Sequence, residues 1–348
     1  MVEAFTLSLS QGIDKPCPTG TQSSAGRVLR LGWFGLLRWL TVWAWAGGVW
    51  ALAACTHLGT QPDVLSLHPV AEGLYLALGT PGPASPANQG RVGNAVVLLG
   101  PKGVLVVDSG TSYRHGAALL RAVRQLTPLP VRAVLLTHAQ PEFIFGAKAF
   151  QEAGVPVWMH RANAQLMAAR CAVCLERLRH TLGKEAMADT ELIQPDWLFD
   201  DSVSGDWIGR RLDILYLGHS SGPGDVVVWD ARSGSLIAGG LIDHQHVPDL
   251  RDGQLAPWRV ALHTLAEQPM TRIIPGHGPP GDSALWRAQH GYLQEIEAQV
   301  KSALLRGVTL AQISHEVPMP AYATWKGYPD LHQRNLHHVY LALERDLP

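Results

Sequence analysis

The apolar positions of this chain fall into two successive sets of short runs bounded by glycine, each followed by stretches of helical period. Gly73-Leu-Tyr-Leu-Ala-Leu-Gly79 reads as a short strand, and a Gly/Pro/Ser/Asn-rich loop follows from Thr80 to Gly93. Asn94–Leu99 and Val104–Val107 are apolar runs split by Gly100-Pro-Lys-Gly103, which predicts a hairpin. Leu119, Leu120 and Val123 share one face of a helix over His115–Gln125. Val131–Leu136 is a further buried strand ending at Thr137-His138. A helix over Gly146–Ala153, a strand over Val155–Met159 and a helical stretch over Ala162–Leu182 come next.

The second set begins with a strand over Leu212–Leu217 and the loop His219–Gly224. Val226–Trp229 and Leu236–Ala238 form another hairpin, Trp258–Glu267 a helix, Arg272–Ile274 a strand, and Pro275-Gly-His-Gly278 the loop after it. Leu285, Leu293, Ile296, Val300 and Leu304 recur at helical spacing behind Asp282 or Ser283 as N-cap. Leu310–Val317 and Leu331–Arg345 are two further helices. Two β-rich halves, each followed by helices, predict an α+β protein with sheet packed on sheet and helices outside. No linker divides residues 70–348, which read as one domain.

Composition narrows the function classes. The 348 residues carry 28 basic and 29 acidic groups, a formal charge of -1, so the basic excess of a nucleic-acid binder is missing. Thirty-five Gly and 24 Pro speak for many turns and against a coiled coil. The charged fraction, 16%, is too high and the apolar runs too few for a polytopic membrane protein.

One segment does carry a membrane signal. Residues 1–26 are a polar leader; Arg27, Arg30 and Arg38 then precede the uncharged run Trp39–Ala54. As a helix that run covers about 24 Å, short of the roughly 30 Å hydrocarbon core, so it describes an export signal better than a membrane span. It ends Leu52-Ala53-Ala54-Cys55, which resembles the lipobox of bacterial lipoproteins, where the Cys is lipidated and becomes the new N-terminus. The alternative is an uncleaved signal anchor reaching back to Leu31, with Arg38 snorkelling. Either places the folded part in the periplasm or at the cell exterior, behind a tether over residues 55–69. Cleavage leaves 24 basic against 27 acidic groups.

Cys17 lies in the leader, which leaves Cys171-Ala-Val-Cys174. In an oxidising compartment the pair is expected to form a disulfide. A redox-active pair and half of a zinc site are the alternatives, but no second C-x-x-C completes a four-Cys site. His138 and His219 follow strands, His277 sits in the Pro-Gly-His-Gly loop after a third, and imidazoles at such strand-to-loop junctions can converge on one metal.

The succession Val104-Leu-Val-Val-Asp108-Ser-Gly110, Leu136-Thr-His138, Gly218-His219-Ser-Ser-Gly-Pro-Gly-Asp225, Leu236-Ile-Ala-Gly239 and Ile274-Pro-Gly-His277-Gly resembles the ordered motifs of the metallo-β-lactamase fold superfamily. The tail, with Pro320-x-Tyr322, Trp325, Tyr328, Arg334-Asn335 and Tyr340-Leu-Ala-Leu-Glu344, is similar to a periplasmic branch that includes the quinoprotein relay-system zinc metallohydrolases. The resemblance implies a four-layer αββα sandwich with C-terminal helices and a one- or two-zinc site at one edge, where zinc activates a bound water.

At the family's H-x-H-x-D-H motif this chain reads His138-Ala-Gln140-Pro-Glu142-Phe143, and the family's bridging Asp falls at Gly240. Four of seven ligand positions are altered, so a regular dinuclear centre is not expected. The resemblance leaves His138, His219 and His277 as metal ligands for one zinc ion or none, with Glu142, Asp243 and His246 as possible substitutes and His244 as a neighbouring loop candidate. Glu142 and Asp225 are the candidate catalytic carboxylates; Asp108 and Asp225 read equally as groups that hydrogen-bond loop backbone or histidines. Two functions follow. One is a pseudoenzyme, an envelope-anchored module binding a small molecule or an envelope protein. The other is a mononuclear zinc-dependent hydrolase of an ester, thioester, phosphoester or amide. A heme- or quinone-linked carrier lacks a C-x-x-C-H motif.

Overall fold

A computed structural model of the protein describes residues 65–328 and 330–346. The leader, the apolar run, Cys17 and the proposed lipid site Cys55 lie outside the described residues. Seven strands form the first sheet in sequence order: β1 (His68–Ala71), β2 (Leu74–Ala77), β3 (Ala95–Gly100), β4 (Gly103–Val107), β5 (Val131–Leu136), β6 (Val157–His160) and β7 (Trp197–Phe199). Its first four strands pair antiparallel and β4 to β7 pair parallel. The second sheet holds β8 (Val203–Gly205), β9 (Leu212–Tyr216), β10 (Val226–Asp230), β11 (Ser235–Gly239) and β12 (Arg272–Pro275). Its spatial order is β12-β11-β10-β9-β8.

Alternation along the strands builds three hydrophobic layers. Leu105 and Val107 of β4 and Leu135 of β5 point inward to meet Ile214, Val226, Val228, Ile237 and Ile274 of the second sheet. Their neighbours Val104, Val106, Val134 and Leu136 point outward against α1 (Tyr113–Leu126) and against α3 (Ala147–Glu152), which follows the short α2 (Pro141–Ile144). Residues of α4 (Arg161–Leu182) complete that layer. On the other side, Val227, Leu236 and Ala238 pack against α5 (Leu255–Ala266), α6 (Ala284–Leu305), α7 (Ile313–Glu316) and α8 (Asp330–Asp346). Layers of helix, sheet, sheet and helix result. Among the described residues no helix is long and apolar enough to cross a membrane.

The departures from the sequence reading have local causes. The first strand begins at His68, inside the expected tether, because β1 pairs with β2 as an edge hairpin. Strands β7 and β8 are three residues each, too short for any periodicity to mark them. Helix α2 was not expected either; Pro141 at its first turn fixes the backbone that turns Glu142 and Phe143 inward. The stretch Leu310–Val317 is helical only over Ile313–Glu316. The Thr309 N–H and hydroxyl both donate to Gln312 Oε1 and close a turn in place of the first helical turn.

One buried ion pair links loops at the far end of the sandwich. Arg210 donates from Nε to Asp230 Oδ1 at 2.8 Å and from Nη2 to Oδ2, and from Nη1 to the Glu72 carbonyl at 2.9 Å. Both side chains are almost fully buried. Removing one partner strands the other charge, a loss that typically costs about 3–5 kcal/mol. Arg210→Ala is therefore expected to lower the unfolding free energy by roughly that amount in chemical denaturation; a change within about 0.5 kcal/mol, as at an ordinary surface site, would contradict this role.

Candidate functional site

The strand ends β4, β5, β11 and β12 deliver the predicted residues to one edge of the sandwich. Asp108 follows β4 in a left-handed conformation, φ +64°, unusual for a non-glycine residue and tolerated here because its carboxylate is fully engaged. It accepts the Thr137 N–H at 2.9 Å and the Thr137 hydroxyl at 2.9–3.0 Å. Burial raises the Asp108 carboxyl to a pKa of about 6. Above that pH the threonine proton points to the carboxylate, so His138 Nδ1, 2.7 Å from Thr137 Oγ1, is the donor of its contact. His138 Nε2 is buried without a hydrogen-bond partner among the described residues. Asp108 is thus a positioning group for His138.

Phe143, on α2, stands where the family's motif has its second-metal His. Its ring is fully buried, 4.2 Å from the His138 ring centroid and 5.2 Å from that of His277. Two glycines make room. A Cβ on Gly93 would come within 2.7 Å of the Phe143 ring, and one on Gly240 within 2.8 Å of His138 Cδ2 and 2.7 Å of Ser221 Oγ. No Asp side chain fits at position 240 without displacing His138.

His277, after β12, is held at both nitrogens: Nδ1 lies 2.9 Å from Asp243 Oδ1 and Nε2 lies 3.2 Å from Glu142 Oε1. Burial alone would lower its pKa, but the Asp243 and Glu142 carboxylates outweigh it and raise it to about 10. Burial would likewise raise Glu142, and the hydrogen bond and charge of His277 instead bring it down to about 2. His246 stacks on His277 with ring centroids 4.4 Å apart, and its Nδ1 is buried without a hydrogen-bond partner, 3.9 Å from Asp243 Oδ2. Burial and the neighbouring imidazolium lower the His246 pKa. One donor atom each of Asp243, His246 and His277 lie within 4.8 Å of one another.

His138, His219 and His277 do not meet in this way. Among the described residues, the group with ligand atoms that close is Asp243, His246 and His277. His219 instead lies with Nε2 2.6 Å from the Asp252 carbonyl oxygen, a partner 33 residues away that no local pattern announces. Asp225 is engaged by its surroundings. Its carboxylate accepts from Asn163 Nδ2 at 3.0 Å, Gly222 N at 2.7 Å and the hydroxyls of Ser220 and Ser221, and so organises its own loop. His244 turns to the Pro279 carbonyl, 2.7 Å from Nδ1.

Cys171 and Cys174 are free thiols, contrary to the expected disulfide. They sit one turn apart inside α4, where Cβ atoms at i and i+3 lie about 5–6 Å apart, beyond the roughly 3.5–4.5 Å a disulfide needs. Cys171 Sγ instead contacts the Ala139 carbonyl at 3.6 Å.

Several residues escaped the sequence reading. The Asn94 amide donates at 2.8 Å to both the Pro275 and Gly278 carbonyls and so fixes the loop carrying His277. Arg251 and Arg334 line the site's cavity of about 250 Å³ together with Gln140, Glu142, His246 and His277. For Arg251 the sequence signal is only a charge in a loop, and the tail motif that contains Arg334 does not by itself place it at the site.

The sandwich matches one known class. The sequence model of the metallo-beta-lactamase superfamily matches residues 88–277, and the chain belongs to that superfamily. It is 24% identical over 198 residues to a metallo-beta-lactamase type 2 of Bacillus cereus, covering 55% of this chain and 69% of that one. To the type 2 enzyme of Bacillus sp. (strain 170) it is 22% identical over 197 residues, with the same coverage. The solved structure of a metallo-beta-lactamase from Pontibacter korlensis superposes with a TM-score of 0.54 at 21% identity, over 66% of this chain and 99% of that one. The likeness to it is one of fold. The family typically uses zinc.

The His277 cluster makes stability depend on pH in a definite direction. Its folded pKa of about 10 exceeds the ordinary value of 6.5, so its contribution is complete below 6.5 and is lost as pH rises toward 10. In chelator-treated protein, thermal unfolding scans from pH 6.5 to 10 should show the wild type losing stability more steeply than His277→Asn. Parallel profiles would show that His277 is not held as an imidazolium.

Proposed function

We propose that the chain is a pseudoenzyme: a metallo-β-lactamase-fold module of the bacterial envelope that binds a small molecule or an envelope protein at the His277 edge. The observation that carries this reading is Phe143 seated between His138 and His277. A pair of zinc ions needs imidazole or carboxylate donors on both sides of that space. Here an aromatic ring fills it, Gly240 has no side chain and no room for one, and His219 faces a carbonyl. The residues present do not fit the family's dinuclear centre. A mononuclear hydrolase held by His138, His219 and His277 would need three converging imidazoles, whereas among the described residues the donor atoms within 4.8 Å of one another belong to Asp243, His246 and His277.

The tail supports a place in the periplasmic branch that the sequence resembles. Asn335 accepts the Leu250 N–H at 3.1 Å and donates to the Pro248 carbonyl at 2.7 Å, while Tyr322 and Trp325 pack on Tyr292. These contacts hold the segment that carries Arg251 beside the cavity. In this reading the cavity binds and orients a ligand with Arg251, Arg334 and Gln140, and His277 with its carboxylates forms a fixed polar wall.

Hydrolysis is the direct test. Purified protein supplied with zinc is expected to turn over β-lactam, ester, thioester and phosphoester substrates no faster than His277→Ala. Turnover of any of them that disappears in His277→Ala would overturn the pseudoenzyme reading. Envelope placement rests on the Leu52–Cys55 motif, and mass spectrometry of the membrane-extracted chain should find a diacylglyceryl-modified Cys55 at its N-terminus. A wild-type chain recovered from the membrane at full length with Cys55 unmodified would instead identify a signal anchor.

A further inference from the structure

The loop between β11 and α5 carries two donors that the family's ligand pattern does not use. Asp243 is buried, accepts the His277 N–H at 2.9 Å and lies as close to His277 Nδ1. His246 is fixed from both sides: the Lys326 N–H donates to the Gln245 carbonyl at 2.8 Å, and the Val247 N–H donates to the Lys326 carbonyl at 2.9 Å. These bonds pin the backbone on either side of His246, and its buried Nδ1, 3.9 Å from Asp243 Oδ2, has no hydrogen-bond partner among the described residues. A buried polar atom without a partner costs about 1–3 kcal/mol and calls for an occupant of the adjacent space.

We infer that Asp243, His246 and His277 form a site for one divalent transition-metal ion, distinct from the family's positions at His138 and His219. Asp243 Oδ1 lies 2.9 Å from His277 Nδ1, Asp243 Oδ2 lies 3.9 Å from His246 Nδ1, and one donor atom of each of the three lies within 4.8 Å of the others, close enough for one ion with bonds of about 2.0–2.1 Å to draw them together. Two imidazoles and one carboxylate favour zinc, cobalt or iron over magnesium or calcium, which prefer oxygen donors. Binding releases the Nδ1 proton that His277 shares with Asp243, and the ion takes over the positive charge that the imidazolium holds between Asp243 and Glu142. All three ligands line the cavity of about 250 Å³, so the remaining coordination positions open toward whatever it binds. The inference goes beyond the pseudoenzyme reading, which concerns catalysis.

Cobalt titration tests the site without any substrate. The full-length chain in detergent, stripped by chelator, is titrated with Co2+ alone, and the visible d–d absorption is followed; Zn2+ is then added. One equivalent of a cobalt band, abolished by zinc, lost in His246→Ala and retained in His138→Ala, is the expected result. Circular dichroism checks the fold, and His246→Gln takes the place of His246→Ala if the latter unfolds. Absence of a stoichiometric band, or a band that survives in the His246 variant and vanishes in His138→Ala, would overturn the site. Substrate turnover, read separately, bears on the pseudoenzyme reading alone.

Discussion

A buried histidine between two carboxylates organises this edge of the molecule. Glu142 comes from the short helix after β5 in the first sheet, while Asp243 and His277 follow β11 and β12 in the second. Each of these groups would be costly to bury alone, and together they satisfy one another. The two sheets already share an apolar interior, but that interior is non-directional and sets no loop position. The Glu142–His277–Asp243 contacts, with the Asn94 amide donating to two carbonyls of the same loop, set it.

Around that cluster the packing is consistent with Phe143 and with no metal ligand in its place. An aromatic ring occupies the space between two imidazoles, and glycines at 93 and 240 are the residues whose missing Cβ atoms admit it and His138. A methyl group added at either glycine would force a fully buried ring to move. His138 itself is positioned by a chain through Thr137 to Asp108, all of it protein. The orientation of the strand-end side chains therefore follows from hydrogen bonds within the fold.

Much of this was legible in the chain. The layers follow from uninterrupted apolar runs such as Val104–Val107 and Ala133–Leu136, because strands buried on both faces must be apolar throughout. Position 143 was legible as a space-filler, since phenylalanine has no donor for a metal. What the sequence could not announce depends on contacts far apart in the chain. His219 turns to a backbone carbonyl, His246 is fixed by backbone bonds to Lys326, and the room for Phe143 depends on Gly93. The cysteine pair is a different case: the helix over Ala162–Leu182 was legible, and it is the helix that holds Cβ atoms at i and i+3 too far apart for the expected disulfide. The three-residue strands β7 and β8 carry too few residues for a period to register.

The central claim, that Phe143 and the two glycines close the space a dinuclear centre would need, is tested most directly by crystals grown with excess zinc and measured at the zinc absorption edge. The account predicts no anomalous density between His138 and His219, with the Phe143 ring in place between His138 and His277. Two anomalous peaks about 3.5–4 Å apart in that space, with the ring swung aside, would contradict it.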